Sequence, residues 1–300
     1  MTSVTIQFNR GNFSPKLDKS PASFVGGFFS LLEESAKEVL FASEENLISG
    51  SHGRLHWVES DNFSLVQCVQ EVNDLNEIEI ITQSIYQELL GLIPDLRNQN
   101  LIRFWNCVPS INSGNGDSEV YKSFCSGRLA GFVKSGFSPT EFPAASALGG
   151  HQPRLIIHML LSRVAGRHAG NPLQVHAYNY PRQYGSSSPS FARSTEVSFE
   201  EKETFLFVSG TASIRGHETL HVDDVAAQTH LSIDNIDVLL RQSEKTMNRL
   251  ISLRVYIRRE SDLETIKHIV DERLPVGDRV YLQADICRSN LLVELECIAQ

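Results

Sequence analysis

From Leu291 to Ile298 the chain alternates. Leu291, Val293, Leu295 and Cys297 form an apolar row, and Glu294 and Glu296 fall on the opposite face. A period of two belongs to a β-strand, because successive side chains point to opposite sides of a sheet. One face of this strand therefore enters a core, while the acidic face meets either solvent or a polar pocket. Val280–Ala284 reads as a second strand and Arg288–Asn290 as a turn, so the two strands are expected to form a hairpin. Arg279, just before the first strand, would then lie within reach of Glu294, a cation beside an acid. Gln283 shares the strand face of Tyr281 and Arg279 and joins the candidate lining.

With 300 residues the chain can hold one large domain or two of about 150. The division falls most naturally in the polar, Gly-containing stretch Gly166–Asn171, giving halves 1–165 and 166–300. A hydrophobic content of 41% and a charged content of 21% are those of a globular protein. The net charge of −9 argues against nucleic acid or an anionic membrane as main partner, but not against a small anion. The N-terminal residues have no apolar h-region, and runs such as Leu155–Leu161 are far too short to span a bilayer, so a cytoplasmic protein is expected. The five cysteines are scattered without CxxC spacing, which favours reduced thiols over disulfides or a zinc site.

In order along the chain, a helix is expected over Phe24–Leu40 and strands between His56 and Val72. An amphipathic helix capped at Asn76 carries Ile78, Ile81, Ile85, Leu89 and Leu92 at helical spacing. A strand follows at Leu101–Val108, a helix at Glu119–Ser135 and a strand at Arg154–Leu161. The second half reads as a strand at Leu173–Tyr180, a long loop with Arg182, Tyr184 and Arg193, and a strand at Thr204–Ser209. A helix capped at Asp223, a strand at Leu250–Ile257 and a helix at Asp262–Leu274 stopped by Pro275 complete it. Strands alternating with helices predict an α+β fold with mixed sheets and helices packed on one face.

His217-Glu218-Thr219-Leu220-His221 matches the zinc-protease HExxH pattern. That chemistry needs both histidines one helical turn apart, whereas here they sit between a strand and a helix cap. A metalloprotease is not expected, and the sequence offers no other metal spacing and no phosphate-cradling glycine loop.

The run from Ser209 to Leu240, with Ser-Gly closing a strand and Asp-Val-Ala-Ala-Gln opening a helix, resembles the signature of the RidA/YjgF superfamily, and VELECIA resembles its closing strand. That superfamily has a chorismate-mutase-like fold and tends to form trimers with clefts at subunit boundaries. The resemblance places Arg279 on its carboxylate-binding arginine and Glu294 on its functional glutamate, and it implies a homotrimer or a pseudo-trimeric monomer. The loop AYNYPRQYGSSSPSFARS, the run FVSGTASIRGHET, the ending YLQADICRSNLLVELE and the upstream RFWNCVP and YKSFCSGR together resemble chorismatases, enzymes related to FkbO that remove pyruvate from chorismate. This covers residues 100–300, with a diverged RidA-like copy expected in the first half.

The resemblance implies a reaction without metal or organic cofactor. Chorismate is a dianion, and arginine's planar fork matches carboxylates. Arg279 is the first candidate anchor; Arg182 and Arg193 either help or pair with surface acids. Glu294 would protonate the enolpyruvyl methylene, which requires its carboxyl to be held neutral. Cys287, the counterpart of a product-determining cysteine, either steers toward 3-hydroxybenzoate or is a packed thiol. Ala212, Tyr184 and Tyr178 are candidate ring neighbours. The products expected are 3- or 4-hydroxybenzoate or a dihydroxycyclohexadiene acid. A RidA-type imine or enamine deaminase and a non-catalytic metabolite-binding module are the alternatives.

Overall fold

The structure, a computed structural model, describes residues 2–9, 23–25, 30–32, 35–43, 47–199, 203–274 and 278–300. Pro275, the expected helix stop, lies outside them. The chain opens with strands β1 (Thr2–Asn9), β2 (Ser23–Val25), β3 (Ser30–Leu31) and β4 (Ser35–Ser43). Of the expected helix over Phe24–Leu40, residues 26–29 and 33–34 lie outside the described residues, and the described ones fall in strands except Leu32. β4 pairs antiparallel with β1 along its length, and tertiary pairing overrides local propensity there.

The next segment contains β5 (Ile48–His52), β6 (Leu55–Glu59), β7 (Phe63–Glu71), helix α1 (Ile78–Leu92), β8 (Asn100–Pro109), helix α2 (Val120–Lys134), β9 (Ala144–Gly150) and β10 (Arg154–Ser162). Its sheet runs β5-β6-β7-β10-β8-β9. The last segment contains β11 (Arg167–Ala169), β12 (Ser194–Phe199), β13 (Glu203–Ala212), β14 (Ile214–Arg215), β15 (Glu218–Thr219), helix α3 (Val225–Gln242), β16 (Leu250–Ile257), helix α4 (Leu263–Arg273), β17 (Arg279–Gln283) and β18 (Val293–Ala299). Its sheet runs β11-β12-β13-β18-β16-β17-β3. The orders β7-β10-β8-β9 and β13-β18-β16-β17 are one topology used twice, with a parallel pair at the end of each.

Helices cover one face of each sheet. The cluster of Ile85, Leu89, Phe104, Phe124 and Ile157 fills the first helix–sheet layer, and that of Ile233, Ile236, Val255, Ile266 and Leu295 fills the second. The bare faces meet each other: Ile156 and Leu148 pack with Tyr256 and Leu282, and Trp105 and Leu160 pack with Phe207 and Ile298. The result is helices, sheet, sheet, helices, the expected α+β architecture. α2 has to serve two neighbours. Gly127 lies against the α1 backbone at Glu79, where a Cβ would collide, which leaves its other side for Tyr121, Cys125 and Arg128.

Three local expectations change. Asn76 does not cap α1: Asp74 accepts from the Asn76 N–H at the head of a 3₁₀ turn, Leu75–Glu77, that runs into the helix. Leu173–Tyr180 is not a strand; only an isolated bridge joins Gln174 to Gly216, and a short 3₁₀ turn follows at Ala177–Asn179. The cap of α3 is Asp224, which accepts from the Ala227 N–H, while Asp223 is left-handed at φ 62°. His217 to His221 run through the two-residue strand β15 and a left-handed His221 (φ 57°), so the helical geometry of a zinc protease is absent. No helix among the described residues is long and apolar enough to cross a membrane.

Candidate active site

The final two strands do not form the expected hairpin. β16 lies between them, parallel to β17 and antiparallel to β18, and residues 284–292 cross over it. Register then fixes the faces. Arg279, Leu253 and Cys297 are level with one another, as are Leu282, Tyr256 and Glu294. Since 253 and 256 differ by an odd number, Arg279 is on the helix-covered face and Glu294 on the face between the sheets. Arg279 ion-pairs with Asp271 and donates to the Leu274 carbonyl (2.9 Å). Gln283 shares its face, level with Ser30 of β3. Neither reaches Glu294, and the expectation of a pocket built from Arg279 and Glu294 is corrected.

Glu294 instead lines a cavity of about 280 Å³ at the seam of the two halves. From the first half come α2, with Tyr121, Cys125 and Arg128, and Ser146 of β9. From the second come Gly210 and Ala212 of β13 and the crossover residues Cys287 and Arg288; the loop before β12 adds Tyr180, Tyr184 and Arg193. Of the sequence candidates, Glu294, Cys287, Arg193, Tyr184 and Ala212 converge here, Ala212 level with Glu294 across the ladder. Arg182 is exposed and bonds both oxygens of Asp117, outside the lining. Tyr178 stacks on His176 (5.0 Å) and meets Phe142 edge-on, packing against the first core rather than the cavity.

The crossover is tied to β9 by an isolated backbone bridge, Asp285 to Gly149, and Arg258 holds much of the rest. Its guanidinium donates to the carbonyls of Leu291 (2.7 Å), Ile286 (2.9 Å) and Arg288 (3.0 Å) and pairs with Asp285. Arg288 thereby lies 4.0 Å over the Tyr184 ring, donating to His217 O and Thr219 Oγ1. Tyr184 OH in turn meets His217 Nδ1 at 3.2 Å.

Glu294 is 4% exposed, and β13 is bulged between Val208 and Thr211 beside it. A Cβ on Gly210 would overlap Glu294 Oε1, so glycine is what lets the carboxyl lie over that backbone. Burial, then the charge of Glu296, push the Glu294 carboxyl up to about 8 against the pull of Arg103 and Arg193. It is therefore an acid at neutral pH. Burial, then Glu294, push the Cys287 thiol up to about 12, so it is a neutral S–H. Burial likewise holds the Tyr121 hydroxyl well above its ordinary value.

Sequence reasoning missed Arg128. It is 3% exposed, its guanidinium stands 5.3–5.5 Å over Tyr86, Phe104 and Phe132, and its Nε and Nη2 have no acceptor among the described residues. Arg193 donates to Tyr180 OH (2.6 Å) and Val175 O (3.3 Å), and its Nε is similarly unmatched. Buried cations with open donors are matched to an anionic ligand. The available signal for Arg128 was a lone charge in the apolar helical run Phe124–Phe132.

Residues 38–161 match the family model described as chorismatase FkbO/Hyg5-like, N-terminal, and residues 194–300 match that described as endoribonuclease L-PSP. The chain is 34% identical over 244 residues to a 3-hydroxybenzoate synthase of Streptomyces hygroscopicus, covering 76% of this chain and 72% of the relative. It is 34% identical over 261 residues to a chorismatase of Streptomyces rapamycinicus, covering 83% and 78%. A crystal structure of a chorismatase superposes with a TM-score of 0.80 at 26% identity, covering 100% of this chain and 99% of the other. Both the resemblance and the α+β fold of mixed sheets with helices on one face are borne out, and the chain belongs to the FkbO/Hyg5-like chorismatase family.

Proposed function

We propose that this chain is a chorismatase that releases pyruvate from chorismate, with Glu294 as the general acid. The observation that carries the reading is a buried carboxyl held in its acid form in a cavity with two incompletely satisfied guanidiniums, Arg128 and Arg193. The two arginines, with Arg288 at the aromatic wall, receive the substrate's two carboxylates. Glu294 gives its proton to the enolpyruvyl methylene, and the ether carbon becomes an oxocarbenium ion. Water adds there and the C–O bond to the ring oxygen breaks, giving pyruvate and a dihydroxycyclohexadiene acid. When the ring hydroxyl intervenes instead, the ring aromatises and the products are a hydroxybenzoate and pyruvate, with no net consumption of water.

Cys287 sits beside the acid as a neutral thiol, a wall and weak donor rather than a nucleophile, and we assign it the steering toward 3-hydroxybenzoate. Both halves, divided near residue 165, line one cavity within one chain, as a pseudo-oligomer would arrange it. The imine-deaminase alternative, which paired Arg279 with Glu294, loses its geometric basis.

The test is incubation of the purified protein with chorismate, with pyruvate followed by a lactate-dehydrogenase couple and aromatic products by chromatography. Pyruvate release abolished by Glu294→Gln is expected. Turnover of 2-iminobutyrate without action on chorismate would replace this reading with the deaminase, and tight chorismate binding without turnover would replace it with a binding module.

A further inference from the structure

Two positions beyond the acid, on the same face of β18, Glu296 has a different set of neighbours. Its Oε2 accepts from Arg103 Nη2 (2.6 Å) and from the Ser146 hydroxyl. Its Oε1 accepts from Trp105 Nε1 (2.9 Å), Arg254 Nη1 (3.0 Å) and Tyr256 OH (3.0 Å). Arg103, Trp105 and Ser146 come from the first half, and Arg254 and Tyr256 from the second. We infer that Glu296 is a positioning residue for the proposed reaction, a fixed buried anion that keeps its neighbour Glu294 in the acid form and sets where that carboxyl lies. This rests on the reading of Glu294 as the acid.

Residues two apart on a strand are about 7 Å apart along the chain and side by side on one face. Burial alone would raise the Glu296 carboxyl, but Arg103, Arg254, Ser146 and Tyr256 outweigh it and hold Glu296 below the usual carboxylate range. A permanent charge so close opposes a second one on Glu294. The groups facing Glu294 from other elements mostly pull the other way. Arg103 from β8 and Arg193 from the loop favour its ionised form, and Arg128 and Arg288 line the same cavity. Tyr256 and Cys287 lie on the adjoining strand and crossover, and the same cavity is lined by Glu119, Tyr121, Lys122 and Cys125 at α2 and by Tyr180 and Tyr184 of the loop. Without Glu296 burial alone would oppose the cations, and the acid would lose its proton at a lower pH.

The position of Glu294 follows from the same network. The Ser146 hydroxyl accepts from Arg103 Nη2 (2.6 Å) and from the Gly210 N–H (3.0 Å) and gives its single proton to Glu296. It has no proton left for Glu294, so it is a tie rather than a relay. That tie fixes the Gly210 backbone over which the Glu294 carboxyl lies.

The test compares pH profiles of pyruvate release. In Glu296→Gln the alkaline limb of kcat/KM should move down by about one unit or more, so that activity at pH 8 falls about fivefold or more further than at pH 6. Glu296→Asp, which keeps the charge, should return the limb toward its original position. A uniform loss at all pH values with the limb in place would mean a structural role only and would overturn the inference. Should Glu296→Gln fail to fold, carboxyl ¹³C titration of glutamate-labelled wild-type protein decides, with Glu294→Gln as the assignment reference. The deep carboxyl remaining in that reference must stay ionised from pH 5 to 9; proton uptake there overturns the inference. Pyruvate release that survives Glu294→Gln would instead sink the underlying reading, so the two failures are distinct.

Discussion

The two halves use one strand order and put different side chains on it. On the inter-sheet face of β10 the first half carries Ile156, His158 and Leu160; on the same face of β18 the second half carries Glu294, Glu296 and Ile298. The first half answers with cations from other elements, Arg103 on β8 and Arg128 on α2. Neither half supplies the whole lining: Glu294, Glu296, Arg193 and Arg288 come from the second, and Arg128, with the Arg103 and Ser146 that hold Glu296, from the first. A repeated scaffold can complete a site of this kind at the seam, where one copy keeps the acid pair and the other adds cations that face and fix it.

Substitutions on each side of the seam test that division. Glu294→Gln removes the acid while preserving shape, and kcat should fall by about 10²–10⁴. The same variant should melt no lower than the wild type at pH 8.5. A carboxyl whose folded value is raised makes folding less favourable as pH climbs from the unfolded value to about 8, and glutamine escapes that penalty. On the cationic side, Arg128→Met should cost about 2–5 kcal/mol in kcat/KM. Equal losses for substrate analogues with and without the ring carboxylate would show that Arg128 holds the other one. At the seam itself, Gly210→Ala places a methyl where Glu294 Oε1 lies, and a drop of about 10²-fold in kcat with the fold intact is expected from the displaced carboxyl. Arg279→Ala, outside the seam, should change kcat/KM by less than about twofold, since it removes a partly exposed ion pair on the far face. A loss as large as that of Arg128→Met would break the assignment of faces.

How much of this was legible in the sequence depends on whether the contact was local. The alternation around Glu294 and Glu296 gave the strand, its two faces and the acid pair, because a period of two is decided by neighbouring residues. The helical repeats of α1 and α3 were readable for the same reason. The partner of β17 was not: Val280–Ala284 and Leu291–Ile298 are adjacent in sequence, but β16 takes the place between them, and that choice is made by pairing over long separations. The error in Arg279 follows from it, since inserting one strand changes which residues are level and hence which face they share. Arg128 and Ser146 join the site only when the first sheet docks on the second. Nothing near them in sequence reports that docking. Cys287 was legible only through family resemblance, whereas Arg193 stood out as a basic residue in a long loop rich in small side chains.

Strand β3, a two-residue piece from the start of the chain, closes the open edge of β17, with Leu31 buried against it. Residues 166–300 expressed alone would therefore present an unpaired row of peptide groups, the kind of rim that recruits another copy. Anyone cutting this protein into its two repeats should keep the first forty-odd residues with the second, in trans or by permuting the termini, or expect oligomers from the liberated margin.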